Sequence, residues 1–184
     1  MKLFESNLNL TDTEQILTTI KFFPTAIRLI PPKILQPDFL AQIIQTNPRV
    51  LNFLSANLMK NVNWDKLQLD DYKEIVANNG NAFGKLPLNL RENYQLALMA
   101  VEMDGMNLQY VGKLNDDKKI VLTAIKNNPK ALEYASSKLQ DNIDVVRVAV
   151  ELDGRTLKYA SKRLKENKEL QALASKNNYK LNPF

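Results

Sequence analysis

Residues 118–142 read KKIVLTAIKNNPKALEYASSKLQDN, and residues 143–167 read IDVVRVAVELDGRTLKYASKRLKEN. The two stretches share one grammar. An apolar segment of helical period, centred on Ala124 or Ala149, meets a polar turn ending in Pro129 or Gly154. Five residues later a tyrosine, Tyr134 or Tyr159, stands inside LEYAS or LKYAS. Self-similarity at a fixed period of this length is the signature of a repeat array. Backwards, the template fits ALMAVEMDGMNLQYVGKLNDD, with Ala100, Gly105 and Tyr110 in the same places. Forwards it fits ALASKNNYKLNPF, a copy cut short after its first helix and anchored on Ala174.

The earlier copies are more diverged but keep phase. AQIIQTNPRVLNFLSANLMKN aligns without a gap through Ile43, Pro48, Leu51, Phe53 and Leu58. IVANNGNAFGKLPLNLREN aligns through Ile75, Gly80, Phe83 and Leu90, and TIKFFPTAIRLIPPKIL through Pro24, Ile27, Leu29 and Ile34. The anchors fall at 19, 43, 75, 100, 124, 149 and 174, with spacings of 24, 32, 25, 24, 25 and 25 residues. The one long spacing marks an insertion near 61–69, which contains the only tryptophan, Trp64.

Each repeat reads as two short helices. The first carries apolar residues at Ile120, Val121, Ala124 and Ile125, or Val145, Val146, Ala149 and Val150, one stripe of a 3.6-residue period. It ends at Asn-Asn-Pro or Leu-Asp-Gly, where glycine is expected to supply the positive φ of a C-cap and proline to open the next helix. The second runs through Ala131, Leu132, Ala135 and Leu139. Asp116, Asp141 and Asn167 are the expected N-caps of the following helices, and Thr11-Asp12-Thr13-Glu14 is a capping-box signal for the first. A helix pair this short cannot cover its own apolar face, so neighbours must stack. The expected fold is all-α: tandem helical hairpins of about 24–25 residues stacked as an α-solenoid, a single domain over 1–184.

The phrase running from Ala149-Val150 through Asp153-Gly154, Leu157, Tyr159-Ala160-Ser161 and Leu164-Lys165-Glu166-Asn167 resembles domain-of-unknown-function family 4116, a bacterial and protist repeat. Residues 92–167 carry three good copies; before residue 92, Phe53 or Lys85 replaces the tyrosine and no Ala-Ser follows. The resemblance implies a helical repeat of unknown biochemical role, frequent in bacteria that live inside amoebae or other host cells and sometimes exported as an effector. It brings no catalytic residues.

Composition narrows the chemistry. The 184 residues contain no Cys and no His, which removes disulfides, Cys/His zinc sites and every catalytic arrangement built on those side chains. There is no hydrophobic leader in MKLFESNLNLTDTE and no apolar run of membrane-spanning length, so the expected setting is the cytoplasm, or a host cell if a specialised secretion system exports the chain. Two carboxylate pairs, Glu102-x-Asp104 and Glu151-x-Asp153, have the composition of a metal or acid–base site. Both, however, fall at one repeat phase where a helix must end, and a sister repeat has Asn127-Asn128-Pro129 there. The segments Gly80 to Gly84-Lys85 and Gly105 to Gly112-Lys113 lack the spacing and the Ser/Thr of a phosphate loop. Tyr110, Tyr134 and Tyr159 recur at fixed phase, which favours packing over a stacking ladder for single-stranded nucleic acid.

The net charge of +5 is unevenly distributed: residues 155–184 hold eight basic and two acidic side chains, and the rest of the chain is nearly neutral. Arg155, Lys158, Lys162, Arg163, Lys165, Lys168, Lys176 and Lys180 make either a polar cap of the array or a binding patch. Trp64, in the insertion, is either an interface anchor or a plug for the gap that the insertion opens. The expected function is that of a non-catalytic protein-interaction module, with neither cofactor nor metal. Its candidate partner-binding residues are Trp64, Arg155, Lys158, Lys162, Arg163, Lys165 and Lys168. The alternative is a polyanion binder, for nucleic acid or anionic membrane, working through the basic C-terminal repeats.

Overall fold

A computed structural model of the chain describes residues 12–78 and 82–178. Thr11, Gly80 and Lys180, named above, lie outside the described residues. Among the described residues all regular secondary structure is helical, in tandem repeats, and no helix is long and apolar enough to cross a membrane. The chain divides into two compact units, Met1–Lys85 and Leu86–Phe184.

In the second unit the helices Tyr94–Met103, Lys118–Asn127, Ile143–Leu152 and Lys168–Asn178 pack one on the next in chain order. The stripe read from the sequence is the face they bury. Leu96, Ala97, Ala100 and Val101 are fully covered, as are Ile120, Val121, Ala124 and Ile125, and Val145, Val146, Ala149 and Val150. Each large aliphatic side chain buried in this way contributes about 1.5–3 kcal/mol. Beside this layer runs a second one, made of the 3-10 helices Gly105–Tyr110, Pro129–Tyr134 and Gly154–Tyr159, each touching the next.

The second helix of the repeat is not continuous, contrary to the sequence expectation. After Pro129–Tyr134 the chain becomes extended at Ala135 (φ −64°, ψ 155°), and a separate one-turn helix follows at Ser137–Gln140. Ala160 and Lys162–Lys165 repeat the pattern. The cause is the serine of the Ala-Ser step. The Ser136 and Ser161 hydroxyls accept the N–H groups of Leu139 and Leu164, as N-caps that begin a new helix. Ala131, Leu132, Ala135 and Leu139 are buried all the same, because a three-residue turn followed by a break returns them to the same side.

Two further expectations are corrected. Gly105 and Gly154 have no positive φ; among the described residues only Gly112, at φ 57°, does. The long helices end instead on the extended residues Asp104, Asn128 and Asp153, and the glycines occupy the first 3-10 position, where Pro129 stands in the sister repeat. Gly105 is needed for closeness: a Cβ there would lie 2.2 Å from the Ala124 carbonyl oxygen and 3.0 Å from the backbone nitrogen of Asn128. The N-caps of the next helices are Asp117 and Asn142, one residue beyond the expected Asp116 and Asp141. Asn167 does accept from the Leu170 N–H as expected, and at the chain's first described helix Asp12 is the cap.

In the first unit, Thr13–Phe22 packs on Pro37–Thr46, the 3-10 helices Pro24–Leu29 and Pro48–Asn52 touch, and Leu69–Asn78 packs on the latter. Ile43 and Ile75 are buried at the phase held by alanines in the second unit. The insertion is stapled to the start of Pro37–Thr46: the Asn63 N–H donates to the Pro37 carbonyl, and the Asn63 amide and the Lys66 ammonium both reach Asp38.

Candidate functional site

The polar residues that recur at a fixed phase either cap the short helices or hold repeat to repeat. Asp104, Asn128 and Asp153 accept the N–H two residues ahead, of Met106, Lys130 and Arg155, and so cap the 3-10 helices. This is the role of the aspartates in both Glu-x-Asp pairs. The Ser136 hydroxyl donates to Asp116 of the preceding repeat, where Lys138 adds an ion pair at 3.2 Å. Ser161 donates to Asp141 in the same way, and Arg163 pairs with that carboxylate at 3.1 Å. These hydroxyl bonds, ahead of the cations, hold the carboxyls of Asp116 and Asp141 below the usual range. The backbone N–H groups of Ser136 and Ser161 add bonds to the Asn115 and Gln140 carbonyls. Asp116 and Asp141, assigned to caps by the sequence, are thus half of an inter-repeat latch whose other half is the Ala-Ser serine.

A second link uses asparagine. Asn127 accepts from the Gly105 N–H at 2.8 Å and donates to the Glu102 carbonyl at 2.8 Å, and Asn177, at the same phase two repeats on, donates to the Val150 carbonyl. Tyr110, Tyr134 and Tyr159 are half-buried, neither wholly in the core nor free as a ladder of exposed rings. Polar groups inside the array are satisfied: the buried Asn107 amide donates to the Ala100 carbonyl and the Thr156 hydroxyl to the Asp153 carbonyl.

What departs from the repeat is the surface around the last 3-10 helix. Lys130, Asp153, Arg155, Thr156, Lys158 and Tyr159 line a half-open cavity of about 150 Å³. Repeat stacking builds it, because Lys130 and Arg155 occupy one phase in consecutive repeats. The Arg155 guanidinium grips the Asp153 carboxylate with Nε at 2.9 Å and Nη2 at 2.9 Å, while most of its side chain stays exposed. Hydrogen bonds from Arg155 hold the Asp153 carboxyl below its ordinary range, against the opposing effect of burial. Lys158 lies 4.7 Å above the centre of the Tyr159 ring, a cation–π distance.

The basic residues named from the sequence are therefore not equivalent. Arg155 and Lys158 share the cavity; Arg163 is turned to Asp141; Lys162, Lys165 and Lys168 are exposed, with the Lys165 ammonium 3.5 Å from the Lys158 carbonyl. Lys130 belongs with Arg155 and Lys158 although it is 25 residues away from the first of them in the chain. In the other unit, Trp64 is half-buried with its ring centre 6.5 Å from that of Tyr72, whose hydroxyl donates to the Trp64 carbonyl. Lys85, at the tyrosine phase, donates to the Leu51 carbonyl at 2.7 Å.

Comparison with known families finds one match, described as Domain of unknown function (DUF4116), over residues 70–115 and 117–165, a little more than half of the chain. Each segment spans about two of the short repeats, and the first takes in the copy anchored on Ile75. No curated protein and no solved structure matches.

Proposed function

The chain belongs to the DUF4116 family, and on that premise we propose that it is a non-catalytic protein-interaction module whose recognition surface lies on the basic end of the second unit. One observation carries the reading. Of the residues that recur, the Asp/Asn caps are spent on local helix starts and the Ser–Asp latch and the Asn127 bridge on repeat-to-repeat bonds, whereas the cations gathered around Gly154–Tyr159 face solvent. In a repeat array the variable exposed positions are the ones free to be selected for a partner. The partner that fits is an acidic protein face, since guanidinium and ammonium groups at an interface steer and orient opposite charge.

The setting follows the family resemblance: a cytoplasmic chain, or one exported into a host cell as an effector. A translocation reporter fused to the chain tests the second.

The test of binding is affinity capture by the whole chain at low and moderate salt, with Lys162→Glu/Arg163→Glu/Lys165→Glu alongside. A protein retained at moderate salt and lost with the variant supports the module. Steep loss with salt, together with direct binding of RNA, DNA or acidic vesicles, supports the polyanion reading instead, because counterion release governs such contacts.

A further inference from the structure

We infer that the cavity lined by Lys130, Arg155, Lys158 and Tyr159 is a docking site for one phosphate monoester, carried on a phosphorylated side chain of a protein partner. The inference rests on the interaction-module reading and specifies what the module holds.

Charge and shape both point there. Four ionised groups line the cavity, three cations and Asp153, which leaves two positive charges without a counter-ion. Among the described residues neither Lys130 nor Lys158 forms a close ion pair with a carboxylate; Asp153 is paired with Arg155 and feels the Lys130 charge only from further off. A phosphate monoester carries about 1.5 to 2 negative charges at neutral pH and matches that surplus; a carboxylate supplies one. Two of the three cations are also partly held in place. Asp153 fixes the Arg155 guanidinium through Nε and Nη2, so that among the described residues Nη1 makes no bond, and Lys158 rests over the Tyr159 ring. A guanidinium fork set in advance loses less side-chain freedom when it closes on a tetrahedral oxyanion.

Size and surroundings select among sources of phosphate. About 150 Å³ in a half-open cavity seats one compact anionic group at a time. The exposed residues of the last repeats are mixed in sign, with Glu133, Glu151 and Glu166 interspersed among the lysines in sequence and with Arg163 neutralised by Asp141. A membrane of anionic lipid needs a continuous basic face; a single positive cavity in a mixed surface fits a single modified residue.

The experiment uses the isotopically labelled whole chain and follows backbone amide resonances during titration. The probes are a short phosphotyrosine peptide, its unphosphorylated twin, and vesicles bearing phosphatidylinositol 4-phosphate. The expected result is saturable shifts at the amides of Arg155 and Thr156 with the phosphopeptide alone. Affinity should fall about tenfold for each cation removed in Lys130→Ala and Lys158→Ala. Both lysines are exposed, and Asp153 keeps its Arg155 pair when either is removed, so these variants fold; Arg155 is left intact because Asp153 depends on it first. Binding should also weaken between pH 7.5 and 5.5, as the phosphate takes up its second proton near pH 6.

The proposal is overturned by shifts that do not saturate, by equal affinity in the double lysine variant, by equal binding of the unphosphorylated peptide, or by vesicle binding through these lysines without phosphopeptide binding. If the phosphopeptide fails while the chain still captures a protein partner, only the cavity assignment falls. If it binds while the lysine variants still capture the same protein, the cavity assignment stands for phosphate but that partner is held elsewhere on the module.

Discussion

Replacing Gly105 with alanine is the most direct test of how the repeats are held together. The added methyl lies 2.2 Å from the Ala124 carbonyl oxygen and 3.0 Å from both the nitrogen and the Cβ of Asn128, where unstrained contacts between non-bonded heavy atoms sit near ~3.5–4.0 Å. The oxygen cannot swing away, because it accepts the Asn128 N–H at 2.8 Å in the last turn of its helix. Relief requires one helical repeat to move off the next. Overpacking of this kind costs ~1–3 kcal/mol, and a clash with backbone belongs at the upper end. Alanine's smaller unfolded-state entropy offsets only ~0.4–1 kcal/mol of that. The net expectation is a loss of about 2–2.6 kcal/mol, which in a unit of this size lowers the midpoint of thermal unfolding by roughly 10–20 °C. Circular dichroism at 222 nm during heating and in urea measures it. Pro129→Ala, at the same phase in the next repeat, is the control, and should cost no more than about 1 kcal/mol. A loss below about 1 kcal/mol for Gly105→Ala would refute the close-approach argument.

Three other outcomes follow from the hydrogen bonds. Ser136→Ala and Ser161→Ala remove a helix cap and an inter-repeat latch together, and each should cost ~1–2 kcal/mol in urea unfolding; a double-mutant cycle of Ser161→Ala with Asp141→Ala should be clearly non-additive. Asn127→Ala leaves the Gly105 N–H without its acceptor and should cost ~1–2 kcal/mol, whereas Leu152→Asn, the same phase one repeat on, should gain less than that, because Pro129 has no N–H to offer and only the donor half of the bridge can form. Stability should also fall in acid. Asp153, held down by the Arg155 hydrogen bonds, and Asp116 and Asp141, held down first by Ser136 and Ser161, all have folded-state carboxyls below their ordinary range. Their contribution is complete above that range and is lost as the pH falls through it towards the folded-state values. The urea midpoint should be lower at pH 3 than at pH 7, with a smaller difference in Asp153→Asn; equal midpoints would count against these assignments.

The repeat, its period and the buried stripe of the first helix were legible because four apolar positions return every 24 or 25 residues. The interior of the second half was not. Ala131, Leu132, Ala135 and Leu139 have a spacing that fits one α-helix as well as a 3-10 turn, a break and a new helix. What decided it was the Ala-Ser step, visible in the sequence as Ser followed three residues later by a buried Leu, a cap signal within a motif otherwise read only for its tyrosine. The caps slipped by one residue for a related reason. Asp116-Asp117 and Asp141-Asn142 each offer two competent oxygens in a row, and only the neighbouring repeat's serine determines which one is drawn away. The basic site suffered from linear reading: Lys130 stands alone in the chain, and only a comparison at equal repeat phase sets it beside Arg155.

The Asn127 bridge changes what counts as one unit of inheritance. A glycine at 105 is answered by Asn127 in the following repeat, while Pro129, with no donor, is followed at that phase by Leu152. The interdependent residues therefore straddle the boundary at which the eye divides the repeats. Shuffling whole blocks such as 118–142 and 143–167 would set a leucine against the Gly105 donor and strand it, although every block remained intact. Cuts placed within the long helices, after the stripe and before the asparagine, would separate the same partners. Exchange is neutral only in a frame running from the glycine or proline of one repeat through the answering residue of the next, and that offset frame is the one in which such arrays can be lengthened, shortened or recombined without loss.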